Sequence, residues 1–151
     1  MMTVHVRFVL LATCLLSSHL LALGAESEPD TFRDEAREIL KTAEVQGGLV
    51  VHVGCGVKDG ELTAALRANK SCLVHGLDGN ADNIRKARQT IRARGLYGPV
   101  SVQLWKGERL PYSDNLVNLL VCEREDAVSK AEIMRVLKPL GVACVRNEDG
   151  W

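Results

Sequence analysis

Leu49-Val-Val-His-Val-Gly-Cys-Gly-Val-Lys-Asp-Gly60 is the stretch that decides the fold. Leu49 to Val53 is β-branched and apolar with no alternating polar face, the pattern of a strand buried on both sides in a parallel sheet. Gly54 and Gly56 then let the backbone turn sharply and lie close to a neighbour or a ligand. Gly60 to Ala68 reads as a helix that turns Leu62, Ala65 and Leu66 to one side, with Asp59 placed to cap it. A buried strand, a glycine turn and a helix make one βα unit.

Downstream the alternation continues. Cys72 to Leu77 is a second strand, Ala81 to Arg94 a helix with Ile84, Ala87 and Ile91 inward, and Val100 to Trp105 a third strand. After the turn Leu110-Pro-Tyr-Ser-Asp-Asn115, a fourth strand runs from Leu116 to Cys122, a helix from Ala127 to Leu137 and a fifth strand from Gly141 to Val145. Upstream, Phe32, Ala36, Ile39, Leu40 and Ala43 recur at helical spacing, so residues 31–45 form an amphipathic lead-in helix. Strands taking turns with helices predict an α/β doubly wound, Rossmann-like parallel sheet, and right-handed crossovers favour the order 3-2-1-4-5.

The chain has 151 residues, 19 Lys+Arg against 19 Asp+Glu and 4% aromatic residues. That is one domain. Its balanced charge supplies no field for nucleic acid, and its few aromatics build no stacking platform, so no nucleic-acid partner is expected. Arg7 is the only Lys, Arg, Asp or Glu before Glu26, and Phe8 to Leu23 is apolar with small interruptions. Residues 1–25 therefore read as a signal peptide cleaved after Gly24 or Ala25, which places the protein in the periplasm or outside the cell. The alternative is a membrane anchor over residues 8–23, short of a stable span because Ser17, Ser18 and His19 interrupt it. Residues 26–48 are then the lead-in segment and 49–151 the core. Cys55, Cys72, Cys122 and Cys144 fall in or beside apolar runs and read as core thiols rather than disulfides, and no metal site is expected.

In an open parallel sheet, ligands bind beyond the carboxyl ends of the strands where the order reverses, here at the tips of the first and fourth strands. Asp78 closes the second strand, where a carboxylate accepts from both hydroxyls of a ribose. Together with the glycine turn it points to an adenosine-containing ligand. Gly54, Gly56 and Gly60 are spaced G-x-G-x-x-x-G, and Asp59 stands where the dinucleotide fingerprint needs its third glycine. An acid there repels a pyrophosphate. S-adenosylmethionine, which has no phosphate, needs no such cradle.

Three blocks carry a resemblance to a known family. They are Val50-Val-His-Val-Gly-Cys-Gly56, then Gly76-Leu-Asp78 with the helix opening at Asn80, then Arg109-Leu-Pro-Tyr-Ser-Asp-Asn-Leu-Val-Asn-Leu-Leu-Val121 with Glu132-Ile-Met-Arg-Val-Leu-Lys-Pro-Leu-Gly141. Through them residues 49–145 resemble class I S-adenosylmethionine-dependent methyltransferases, of the methyltransferase type 11-like branch. The resemblance implies S-adenosylmethionine as cofactor, a small-molecule or protein methyl acceptor, and a cofactor site at Gly54, Cys55, Gly56, Asp78 and Gly79. Where the family has an acid two residues before the first glycine, this chain has His52. The third glycine comes late, behind Val57, Lys58 and Asp59, which predicts a loop bulging toward the cofactor. Lys106 aligns with the acid that accepts from the adenine amino group and cannot accept, leaving Glu108 as its substitute. Glu123, just past the fourth strand, is the candidate catalytic base.

The family's sheet is completed by a final helix and hairpin, and the chain ends at Trp151, so the core is expected to be truncated after strand five. Signal peptide, core and abrupt end resemble the front of larger exported bacterial proteins in which such a domain precedes a quinoprotein-type β-propeller. Three functions stay open: a methyltransferase, a catalytically inactive binding or packing domain of a larger exported protein with a C-terminal partner domain, and a nicotinamide-type oxidoreductase, against which Asp59 argues.

Overall fold

A computed structural model of the chain describes residues 31–148 and 150–151. The signal peptide and the alternative anchor over residues 8–23 lie outside the described residues. Five parallel strands, β1 (Gly48–Val53), β2 (Cys72–Asp78), β3 (Val100–Leu104), β4 (Val117–Cys122) and β5 (Leu137–Val145), form one sheet in the order β3-β2-β1-β4-β5. This is the order the right-handed crossover rule favours.

Strand alternation sorts the apolar residues onto two faces. Val50, Val74, Leu119 and Val121 pack with α1 (Thr31–Thr42), α2 (Glu61–Ala65) and α3 (Ala81–Ala93) through Ile39, Leu62, Ile84 and Ile91. Val51, Val53, Leu77, Leu120 and Cys122 face the other way, toward Val128, Val136 and Leu110. The chain steps outward through β2 and β3, then returns past β1 to β4. A right-handed crossover after that reversal puts α4 (Lys130–Val136) on the opposite face.

Several element ends differ from the sequence reading, each for a local reason. The lead-in helix stops at Thr42, short of residue 45, because Glu44 takes a left-handed φ of 53°. The Val45 and Glu44 amides return to the Leu40 and Lys41 carbonyls, which closes the helix as a Schellman turn. Asp59 does not cap α2: Gly60, at φ 82°, occupies the cap position with no side-chain bond, and Asp59 pairs with Lys86 at 3.5 Å. A Cβ on Gly60 would lie 2.7 Å from that of Ala87, so glycine lets the loop close on α3. The last helix starts at Lys130 rather than Ala127, because Ser129 is its cap and accepts from the Glu132 amide.

β5 begins early. Leu137 pairs with Val117, and pairing resumes only at Val142 opposite Leu119. Between them Pro139 has no N–H to donate, and Leu140 sits at φ 64° and 96% exposed. Cys55, Cys72 and Cys122 are buried free thiols and Cys144 is a half-buried one.

Candidate functional site at the tips of β1, β2 and β4

The glycine turn is built from the end of β1 outward. Gly54, at φ 87°, and Cys55 both donate their amides to the Leu77 carbonyl at 2.8 and 3.2 Å, so the turn leans over the end of β2. A Cβ on Gly54 would lie 2.9 Å from the Cβ of Glu123, and one on Gly56 only 2.2 Å from that of Asn83. Both glycines are therefore fixed by close approach, one to β4 and one to α3. Cys55 is turned inward, against the bare Cα of Gly76. Burial, helped by the charge of Asp78, pushes its thiol up to about 12. A thiol so raised is no nucleophile, and Cys55 contributes backbone only.

Asp78 is the hinge of the site. Its Oδ2 accepts from the Gly56 amide at 3.1 Å, while Oδ1 accepts from the Asn80 amide at 2.8 Å and the Asn83 side chain at 3.2 Å. One carboxylate thus fastens the glycine turn to the start of α3, whose cap Asn80 accepts from the Asp82 amide. A carboxylate offers about four acceptor positions, so one stays available on Oδ2.

A cavity of about 420 Å³ opens over these tips. On one side it is lined by Leu77, Asp78, Gly79, Asn80, Asn83 and Trp105, on the other by Glu123, Arg124 and Ala127, with Val53, Gly54 and Val57 beneath. Its size lies within the range of small-ligand sites, and its walls are apolar and aromatic with a few placed polar groups. A larger groove of about 620 Å³ lies at the opposite ends of the strands, but its Arg37, Arg67 and Arg94 are bound to Asp34, the Cys72 carbonyl and Glu61.

Of the residues singled out in the sequence, Gly54, Asp78, Gly79 and Glu123 line the cavity, and Gly56 bonds to Asp78. Glu108 and Lys106 are exposed and lie outside the lining. The lining residue the sequence reading missed is Trp105, whose amide donates to the Asp78 carbonyl and whose indole N–H donates to the Arg109 carbonyl, both at 2.9 Å. An aromatic residue closing the expected third strand, which the structure ends one residue earlier at Leu104, was the available signal. The late third glycine does not fill the cavity with charge. Val57 is turned to it, whereas Lys58 pairs with Glu35 at 2.9 Å and Asp59 with Lys86.

Glu123 and His52 form a buried pair. His52 lies on the α2 side of β1, its Nδ1 2.8 Å from the Thr63 hydroxyl and its Nε2 3.3 Å from Glu123 Oε1. A carboxylate can only accept, so Nε2 donates to Glu123. Arg146 Nε donates to Glu123 Oε2 at 2.8 Å. Burial works to raise the Glu123 carboxyl, but the His52 bond and the Arg146 charge outweigh it and hold the group below the usual carboxylate range. A carboxylate so stabilised is a weak proton acceptor and a durable negative charge.

Arg146 also pairs with Glu35 of α1 and stacks on the Trp151 ring, 4.1 Å from its centroid. Together with Lys58, these contacts tie α1, the glycine turn and the residues after β5 around Glu35. Among the described residues no group of three or more His, Cys, Asp or Glu is arranged to hold a metal ion. None of their helices is long and apolar enough to cross a membrane.

Comparison with known proteins agrees with this geometry. None of the curated proteins searched matches the chain. Solved structures share the fold: a protein described as an S-adenosyl-L-methionine-dependent methyltransferase from Methanococcus maripaludis (TM-score 0.66, 21% identity, covering 76% of this chain and 54% of that one). The geranyl diphosphate C-methyltransferase of Streptomyces coelicolor A3(2), in complex with S-adenosyl-L-homocysteine, gives a TM-score of 0.63 at 18% identity over 74% of this chain and 44% of its own. The cyclase SpnF gives 0.63 at 25% identity over 79% and 46%. The chain thus spans about half the length of the structures it matches. A family model described as a methyltransferase domain matches residues 50–141, from within β1 to the start of the paired part of β5, and the chain belongs to that family.

Proposed function

We propose that the chain binds S-adenosylmethionine across the tips of β2, β1 and β4 and promotes transfer of its methyl group to an acceptor. The observation that carries the reading is Asp78, fixed at the end of β2 with an acceptor position facing a ligand-sized cavity, in a chain whose residues 50–141 match a methyltransferase domain. The site fits the ligand part by part. Trp105 offers an apolar face beside the adenosine end, Asp78 an acceptor for a ribose hydroxyl, and the bare Cα of Gly54 room for the chain that follows. Asp59 stands where the dinucleotide fingerprint has its third glycine and Gly60 follows one residue late, which argues against a dinucleotide.

The sulfonium supplies an activated methyl group, so the protein need provide only alignment and exclusion of water. The acceptor is a small molecule or protein that reaches the β4 side of the cavity. Titration calorimetry of the full chain with S-adenosylhomocysteine, with NAD as control, tests the reading. Binding of the first alone, lost in Asp78→Ala, supports it. A folded chain that binds NAD, or neither ligand, overturns it.

A further inference from the structure

Two carboxylates line the cavity, and only one of them has been given a ligand group. Asp78 stands at the end of β2 and Glu123 just past β4, on either side of β1. Two strand spacings separate them, about 10 Å. That is close to the reach of an extended S-adenosylmethionine from ribose to amino group. With the ribose at Asp78, the amino-acid end therefore arrives at Glu123. Gly54, at the tip of β1 between them, adds no side chain and lies against Glu123, where a Cβ would be 2.9 Å from that of Glu123.

We infer that Glu123 is the carboxylate that receives the cofactor's α-ammonium group, with His52 and Arg146 as its positioning residues, an assignment that rests on S-adenosylmethionine being the ligand. His52 takes Oε1 and Arg146 takes Oε2, which leaves about two of the four acceptor positions. Arg146 is shared between Glu123 and Glu35, which Lys58 also pairs, so it engages Glu123 through Oε2 and leaves other acceptor positions of the carboxylate open. His52 cannot present a negative charge from β1, and the anion comes instead from β4. The imidazole, itself held by Thr63, fixes the carboxylate's orientation, so that the ammonium meets a preset acceptor.

Binding of two ligands to the full chain separates this role from a purely structural one. S-adenosylhomocysteine carries the amino-acid end, and 5′-methylthioadenosine shares its adenosine part but lacks that end. In Glu123→Gln, affinity for S-adenosylhomocysteine should fall about ten- to a hundredfold, as for loss of a hydrogen bond to a charged group, while that for methylthioadenosine stays unchanged. An unchanged S-adenosylhomocysteine affinity, or an equal loss for both ligands, overturns the assignment. If Glu123→Gln fails to fold by circular dichroism because Arg146 is left unmatched, the Glu123→Gln/Arg146→Gln double variant removes both charges and is read in the same way. A wild type that binds neither ligand removes the S-adenosylmethionine reading itself. A wild type that binds both equally removes Glu123 alone.

Discussion

Replacing Asp78 by Asn tests whether one carboxylate holds the glycine turn on α3. The side chain changes little in volume, so the effect is one of hydrogen bonding. With its oxygen at the Oδ1 position, Asn still accepts from Asn80 and Asn83, but its NH2 then faces the Gly56 amide, which is itself a donor. The buried Gly56 N–H loses a bond to a charged acceptor, about 1.5–3 kcal/mol. The two remaining bonds fall to neutral strength, at a further cost of about 1 kcal/mol between them. Turning the amide round orphans two donors instead of one. Asp78→Asn should therefore destabilise the fold by about 2–4 kcal/mol. Urea unfolding followed by circular dichroism would show a lower midpoint with an unchanged slope, and the melting temperature would drop by about 10 °C. A change below about 0.5 kcal/mol, the level of an ordinary surface substitution, would refute the stapling role.

Three other outcomes follow from the same structure. Glu132 is held at about 2 by Arg135, with help from the Leu110 amide, and Glu35 and Glu123 also lie below their ordinary values, so each contributes stability that is present above about pH 4.5 and lost as pH falls through its folded value. The urea midpoint should therefore fall between pH 5 and pH 2, and less steeply in Glu132→Gln. Thiols raised by burial at Cys55, Cys122 and Cys144 should react slowly with a disulfide reagent at pH 8 in the folded chain and promptly in denaturant, with no prior reduction needed. If residues 1–25 direct export, intact mass of secreted material will show a mature start at Ala25 or Glu26; a start at Met1 or Met2 would contradict the signal.

The sheet was legible because Leu49 to Val53, Cys72 to Leu77 and Leu116 to Cys122 are apolar runs with no alternating polar face to confuse with a helix, although in β2 Leu73 is left 52% exposed. The turn after Arg109 was legible for a different reason. Arg135 donates to the Tyr112 and Leu110 carbonyls and pairs with Glu132 and Asp114, while Glu132 accepts from the Leu110 amide, so two distant blocks of sequence constrain each other. Capping was misread at Asp59 because a left-handed φ of 49° there, followed by Gly60, is set by the packing of the loop on Ala87 and Lys86. No local pattern encodes that contact. The roles of His52 and Arg146 were hidden for the same reason: their partner Glu123 is 71 positions from one and 23 from the other. Trp105 went unassigned because only the register of β3 on β2, with Leu104 opposite Asp78, places it in the cavity lining.

The claim at the centre is that the cavity over β2, β1 and β4 is where S-adenosylmethionine binds. Amide chemical-shift mapping of the isotope-labelled full chain during titration with S-adenosylhomocysteine tests it most directly. The account predicts saturable shifts at Gly54, Gly56, Asp78, Gly79 and Glu123 and at the Trp105 indole. Shifts confined to the arginine-lined groove between α1 and α2, or no shifts in a folded chain, would contradict it.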